Sequence, residues 1–97
     1  DSGVSTDARS DIYSLGATLF YLLAGELPPR AVDRMLPASI NIHMALPSLQ
    51  KLNPTISKLT QRVIEKAMQI DPEQRYQRAS QMRESIAPRK RFIQLPF

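Results

Sequence analysis

The sequence predicts a mostly helical chain that forms part of a larger core. Three observations carry this. The run from Ile12 to Ala24 is apolar at ten of its thirteen positions, with only Ser14, Gly16 and Thr18 outside that set. These apolar side chains point around the whole circumference of a 3.6-residue turn, and a helix apolar on all sides is one buried on all sides. A second stretch, Ile56 to Ile70, repeats apolar residues at three- and four-residue steps along one face. No segment alternates in the way a strand requires. With 97 residues there is room for one small domain at most. A chain of this size buries only about 60–65% of the surface it exposes when unfolded, which makes a self-sufficient fold marginal.

The first helix is expected over about Ala8–Ala24. Thr6 or Asp7 can accept a hydrogen bond from the free amides of its first turn. Gly25 suits the left-handed position after its end, and Pro28 and Pro29 forbid continuation. A short helix is expected from Arg30 to Leu36. Pro37 to Asn53 holds Pro37 and Pro47, and its apolar residues Ile40, Ile42, Met44, Leu46 and Leu49 keep no sustained period. It reads as an extended loop with room for one helical turn. The amphipathic helix follows, starting at Thr55 or Ile56 and ending at Ile70. Ile56, Leu59, Val63, Ala67 and Ile70 form its apolar face, with Ile64 and Met68 beside them. Lys58, Gln61, Arg62, Glu65, Lys66 and Gln69 fill the other. Asp71 with Gln74 resembles a capping box, and Pro72 fits the first position of a short turn. A last helix runs from Ala79 or Ser80 to Ile86 and is stopped by Pro88. The remainder, from Ala87 to Phe97, contains the basic triplet Arg89, Lys90 and Arg91.

Composition narrows the function classes. Hydrophobic residues make up 42% and charged residues 23%, which is globular rather than disordered. With no cysteine there are no disulfides and no thiolate metal sites, and the single imidazole, His43, cannot build a zinc centre alone. His43 sits in an unpatterned loop, and nothing specific joins it to Ser39 or Ser48 as a nucleophile pair. The apolar run is too short to span a bilayer, which takes about 20 residues. No secretory signal is evident, and a cytoplasmic location is the expectation. The first residue is Asp1 rather than Met, so the chain is expected to be processed or to be a piece of something longer. Residues 1–50 carry 3 basic and 5 acidic side chains, and residues 51–97 carry 10 and 4. A basic half raises nucleic acid or a membrane surface as partners. Lys58, Arg62 and Lys66 read instead as a solvated helix face, because no aromatic residues interleave with them.

Two charged residues stand out. Asp11 lies about one turn inside the first helix, too late to cap it, and directly before the apolar run. Either it complements the positive helix N-terminus, or, partly buried, it holds backbone amides of a segment outside this chain. Arg75 follows Asp71-Pro72-Glu73-Gln74. Either it is a surface arginine pairing with Glu73 or Glu84, or it forms a buried bidentate bridge to a carboxylate elsewhere. Spacing alone leaves both alternatives open.

Ser10-Asp11-Ile12-Tyr13-Ser14-Leu15-Gly16, followed by Leu23-Ala24-Gly25-Glu26-Leu27-Pro28-Pro29, resembles the αF region of protein kinases, with its S-D-[VI]-[WY]-S-x-G sequence and a helix ending in T-G-x-x-P. Some fifty residues later, Asp71-Pro72-Glu73-Gln74-Arg75-Tyr76 matches the family's D-P-x-x-R-[YFP]. Thr6 to Asp11, and Leu52-Asn53-Pro54 leading into the later helix, look most like the eukaryotic-type Ser/Thr kinases of bacteria. The resemblance covers about residues 1–86, and implies a partial kinase domain there, the helical lobe after the A-P-E sequence, with residues 87–97 as a basic tail or linker. It implies that Asp11 accepts hydrogen bonds from the catalytic-loop backbone, that Arg75 pairs with the A-P-E glutamate, and that Gly16 serves close helix packing. Ile12, Leu15, Leu19 and Leu23 would belong to the lobe's core.

The Gly-rich loop, the strand lysine, H-R-D, D-F-G and A-P-E do not occur in the sequence. The expectation is therefore no catalytic, cofactor-binding or metal-binding residue in this chain, with ATP and magnesium implied only for a parent kinase. The expected partners are the remainder of the kinase domain and the parent's protein substrates. Nucleic acid is not expected, and a membrane would be met only through a linker after residue 86. The other readings are a stand-alone helical interaction module, including a pseudokinase remnant, and a basic nucleic-acid binder using residues 51–97.

Overall fold

The computed structural model describes residues 7–35 and 45–87. The expectations for Thr6, for His43, for Leu36 with most of the loop after it, for Pro88 and for the basic triplet lie outside these residues. Five helices are described: α1 (Ala8–Ala24), α2 (Ala31–Arg34), α3 (Leu49–Leu52), α4 (Lys58–Ala67) and α5 (Ala79–Ile86), with a 3₁₀ turn at Pro72–Gln74. Among the described residues there is no strand.

α1 has the bounds its sequence predicts. Asp7, in extended conformation, accepts a hydrogen bond from the Arg9 N–H at 2.8 Å. At the other end Gly25 takes φ 79°, and its N–H donates to the Tyr21 carbonyl, satisfying an acceptor the helix leaves open. α4 is shorter than its apolar period. Ser57 caps it through the Thr60 N–H, so the helix starts only at Lys58. Met68 leaves helical geometry at φ −101°, ψ 17°. The loop before α4 supplies one helical turn, α3, capped by Ser48. Asp71 caps the 3₁₀ turn through the Glu73 N–H at 2.9 Å, with Pro72 at its first position. The Gln81 side chain accepts from the Gln77 N–H at 2.8 Å just ahead of α5.

α1 packs on α4, α5 packs on α4 beside α1, and α3 bridges α1 and α4. The buried residues fall into two clusters. Ile12, Val63, Ala67, Tyr76 and Met82 form one, and Phe20, Leu49, Ile64 and Met68 the other. The buried stripe of α4 is thus Val63, Ile64, Ala67 and Met68, displaced from the expected face, because Leu59 at its N-terminal end stays 44% exposed. Two polar side chains fix the loop before α4. Gln61 Oε1 accepts from the Gln50 N–H at 2.6 Å and the Ser48 hydroxyl at 3.0 Å. Asn53 donates to the Leu23 carbonyl at 2.8 Å, tying that loop to the C-terminal turn of α1.

Gly16 sits where α1 crosses α4. A Cβ there would stand 2.8 Å from Met68 Cγ and 3.0 Å from Ala67 Cβ. Glycine inside a helix costs about 1 kcal/mol against alanine, and here the close contact it permits offsets that. Gly16→Leu should destabilise the fold by about 2–3 kcal/mol through overpacking. The same leucine at exposed Thr18 should be nearly neutral, and equal melting shifts at both positions would refute the crossing.

At the start of α1, the Arg9 side-chain hydrogen bonds, aided by the Arg9 N–H, hold the Asp7 carboxyl below its usual range. A lowered folded value means that this contribution is complete above the unfolded value of 3.8 and is lost as pH falls through the folded one. Acid titration should therefore melt Asp7→Asn with a shallower pH dependence than wild type below pH 4. Identical profiles would remove the assignment.

Candidate functional site

α1 is not covered on all sides by the residues described. Ile12, Gly16 and Phe20 are buried, whereas Leu15 is 47% and Leu22 67% exposed. Asp11, Leu15, Thr18 and Leu22 follow one another at four- and three-residue steps, so they share a stripe of the helix, and all four are exposed. α4 and α3 reach only one side of α1, and the chain described here supplies no layer for the other.

Asp11 opens that stripe. The residue is exposed, and its carboxylate accepts no hydrogen bond among the described residues. It borders a shallow apolar hollow of about 150 Å³ with Ala8, Ile12, Leu15 and Ala79. A neighbouring hollow of about 230 Å³ continues through Leu15, Leu19, Ala79, Met82 and Ile86. The result is a carboxylate at the edge of an uncovered apolar surface built by α1 and α5.

Within the described residues Arg75 binds backbone carbonyls and not the carboxylates of Glu73 or Glu84. Its Nε donates to the Gln69 carbonyl at 2.6 Å, Nη2 to the Ile70 carbonyl at 3.1 Å, and Nη1 to the Arg9 carbonyl at 3.1 Å. The guanidinium also stacks over the Tyr13 ring, 4.8 Å from its centroid. Among the described residues no carboxylate pairs with it, and Glu73 pairs with Arg9 instead, at 3.2 Å. Three of its five N–H donors are thus engaged by carbonyls. The side chain fastens the end of α4 to the first turn of α1.

Sequence reasoning passed over three further residues of this cluster. Tyr13 reads as one more apolar position of α1, yet its ring takes Arg75 on one face and its hydroxyl accepts from Arg34 at 3.2 Å. Arg34 also donates to the Met68 carbonyl at 2.7 Å. Arg9 binds Asp7 and Glu73. Asp7 and Glu73 both hold its guanidinium more firmly protonated than usual, Asp7 first. The only available signal was the presence of arginines beside tyrosine and acidic residues. Lys58, Arg62 and Lys66 are exposed as expected, with Lys66 lying over the Tyr76 ring at 5.4 Å.

Among the described residues no cluster of His, Cys, Asp and Glu could hold a metal ion, and no helix is long and apolar enough to cross a membrane.

Comparison with known proteins places this geometry. No family model matches the chain. The chain is 35% identical over 80% of its length to the serine/threonine-protein kinase PrkC of Bacillus subtilis. It is 40% identical over 87% of its length to the serine/threonine-protein kinase PknB of Mycobacterium leprae. A third relative, hybrid signal transduction histidine kinase G of Dictyostelium discoideum, is 35% identical over 82% of the chain. The chain spans 12% and 14% of the two bacterial kinases and 2% of the third protein. Over most of its length the chain is thus homologous to bacterial serine/threonine protein kinases, and its all-helical structure among the described residues is that of a part of their C-terminal helical lobe.

Proposed function

We propose that this chain is the scaffold segment of a Ser/Thr protein kinase, in which α1 anchors the catalytic loop and α4 and α5 serve as docking helices. The parent transfers the ATP γ-phosphoryl to Ser or Thr hydroxyls of proteins, and ATP and magnesium are held outside these residues. The observation that carries this reading is the stripe of α1 left exposed by the described residues, with the Asp11 carboxylate, unpartnered among them, at its N-terminal end. Leu15 and Leu22, already partly covered, gain about 1–2 kcal/mol each if fully buried against further lobe. A carboxylate buried with them requires donors, because an unpaired buried charge is costly. Backbone N–H groups of a catalytic loop are such donors, and bonds of this kind hold a loop in shape without taking part in the chemistry.

Arg75 fits the same reading. Its bonds to three carbonyls leave two N–H donors, which suffice for one carboxylate in a bidentate pair. The glutamate of an A-P-E sequence would complete it. The side chain then joins three segments: the α1 start, the α4 end and the close of the activation segment.

The sequence has no Gly-rich phosphate loop, and the described residues offer no metal cluster. The segment's contribution is positional.

Two substitutions in the full-length protein test this. Asp11→Ala should lower kcat on the order of 100-fold, about 2.7 kcal/mol of barrier, while the KM for ATP stays within about twofold. Unchanged turnover would sink the Asp11 assignment. Arg75→Ala should destabilise the lobe by about 3–5 kcal/mol if it strands a buried glutamate. A loss of only about 1–2 kcal/mol would reflect the carbonyl contacts alone and contradict the glutamate pairing.

A further inference from the structure

We propose that Arg9 is a positioning residue: it clamps the loop of residues 69–77 onto the first turn of α1 and so sets how Asp11 is presented. The functional half of this inference rests on the kinase reading. The clamp itself does not.

Arg9 bonds to both sides of the junction between α1 and the loop. Its own N–H, Nε and Nη2 all bond to the Asp7 carboxylate, at 2.8, 3.3 and 3.1 Å. Its Nη1 reaches across 64 residues of sequence to Glu73 Oε2 at 3.2 Å, and to Gln77 Oε1 at 3.4 Å. Its carbonyl accepts from Arg75 Nη1 at 3.1 Å. The clamped loop is closed on itself as well, since the Gln77 side-chain amide donates to the carbonyls of Pro72 at 3.1 Å and Arg75 at 2.8 Å. The first turn of α1 and the loop thus exchange bonds in both directions, with Arg9 donating to Glu73 and Gln77 and accepting from Arg75.

A single exposed ion pair contributes little, and Glu73 is exposed. The arrangement around Arg9 differs from such a pair in one respect. Asp7 already fixes the guanidinium, with 26% of the side chain exposed, so the bonds to Glu73 and Gln77 immobilise little that was free. Arg9 lies two residues before Asp11, and a main chain held at position 9 by both carbonyl and side chain leaves the next turn little freedom to rotate. Lysine would keep the charge but lose the planar fork that serves Asp7 and Glu73 together.

The test uses the full-length protein with two readouts, amide hydrogen exchange at residues 8–12 and 72–77 and steady-state phosphoryl transfer. Arg9→Ala should raise exchange in both segments together, by about fivefold or more. It should lower kcat by a similar factor with the KM for ATP unchanged. Arg9→Lys should fail to rescue either readout. Glu73→Ala should have a smaller effect on exchange in the Arg9→Ala background than in wild type, as expected for coupled residues. Faster exchange confined to residues 8–12, or independent effects of the two substitutions, would overturn the clamp. Looser segments with undiminished kcat would overturn the positioning role. A wild-type protein without phosphoryl transfer would instead refute the kinase reading, while the exchange data would still decide the clamp.

Discussion

The crossing of α1 over α4 at Gly16 is the contact on which the rest depends. Without a side chain at position 16, Ala67 and Met68 come within van der Waals distance of the α1 backbone. That approach lets the two buried clusters form on either side, with Ile12 near one end of α1 and Phe20 near the other. It also fixes which half of α1 is spent on this core. The side bearing Asp11, Leu15 and Leu22 is left facing outward.

That outward side joins fold and function. A helix so rich in apolar residues is expensive to expose, and nothing described here covers its second face. The Arg75 cluster secures the start of the same helix on another face. It joins the end of α4 to the start of α1 through carbonyls and the Tyr13 ring, so that the loop carrying Arg75 and the turn carrying Asp11 move as one. On the proposed reading, both residues meet partners supplied by other segments of a larger lobe.

Much of the fold was legible in the sequence. The bounds of α1 follow from Asp7 and Gly25, because both ends have a local chemical reason visible in the residues. The 3₁₀ turn at Pro72–Gln74 and the extent of α5 were readable in the same way. α4 was overextended, since apolar spacing continues through Ile56 and Ile70 while the Ser57 cap and the Met68 backbone decide where the helix stops. The site was less legible. The resemblance to kinases singled out Asp11, Gly16 and Arg75, but no sequence pattern announces that Arg75 binds the carbonyls of Arg9, Gln69 and Ile70. Every residue has a carbonyl, so such acceptors leave no trace in side-chain identity. Tyr13 and Arg34, and the Arg9 contacts to Glu73 and Gln77, were missed because those partners lie far along the chain. The expected all-round burial of α1 reflects the composition of a complete lobe, of which these residues provide one side.

The central claim is that the second face of α1 belongs inside a larger helical lobe. Hydroxyl-radical labelling of Leu15 and Leu22, compared between the full-length protein and the 97-residue chain, tests it most directly. The account predicts strong labelling of both leucines in the short chain and protection of both in the long one, with Phe20 protected in each. Equal labelling of Leu15 and Leu22 in the two proteins would contradict it.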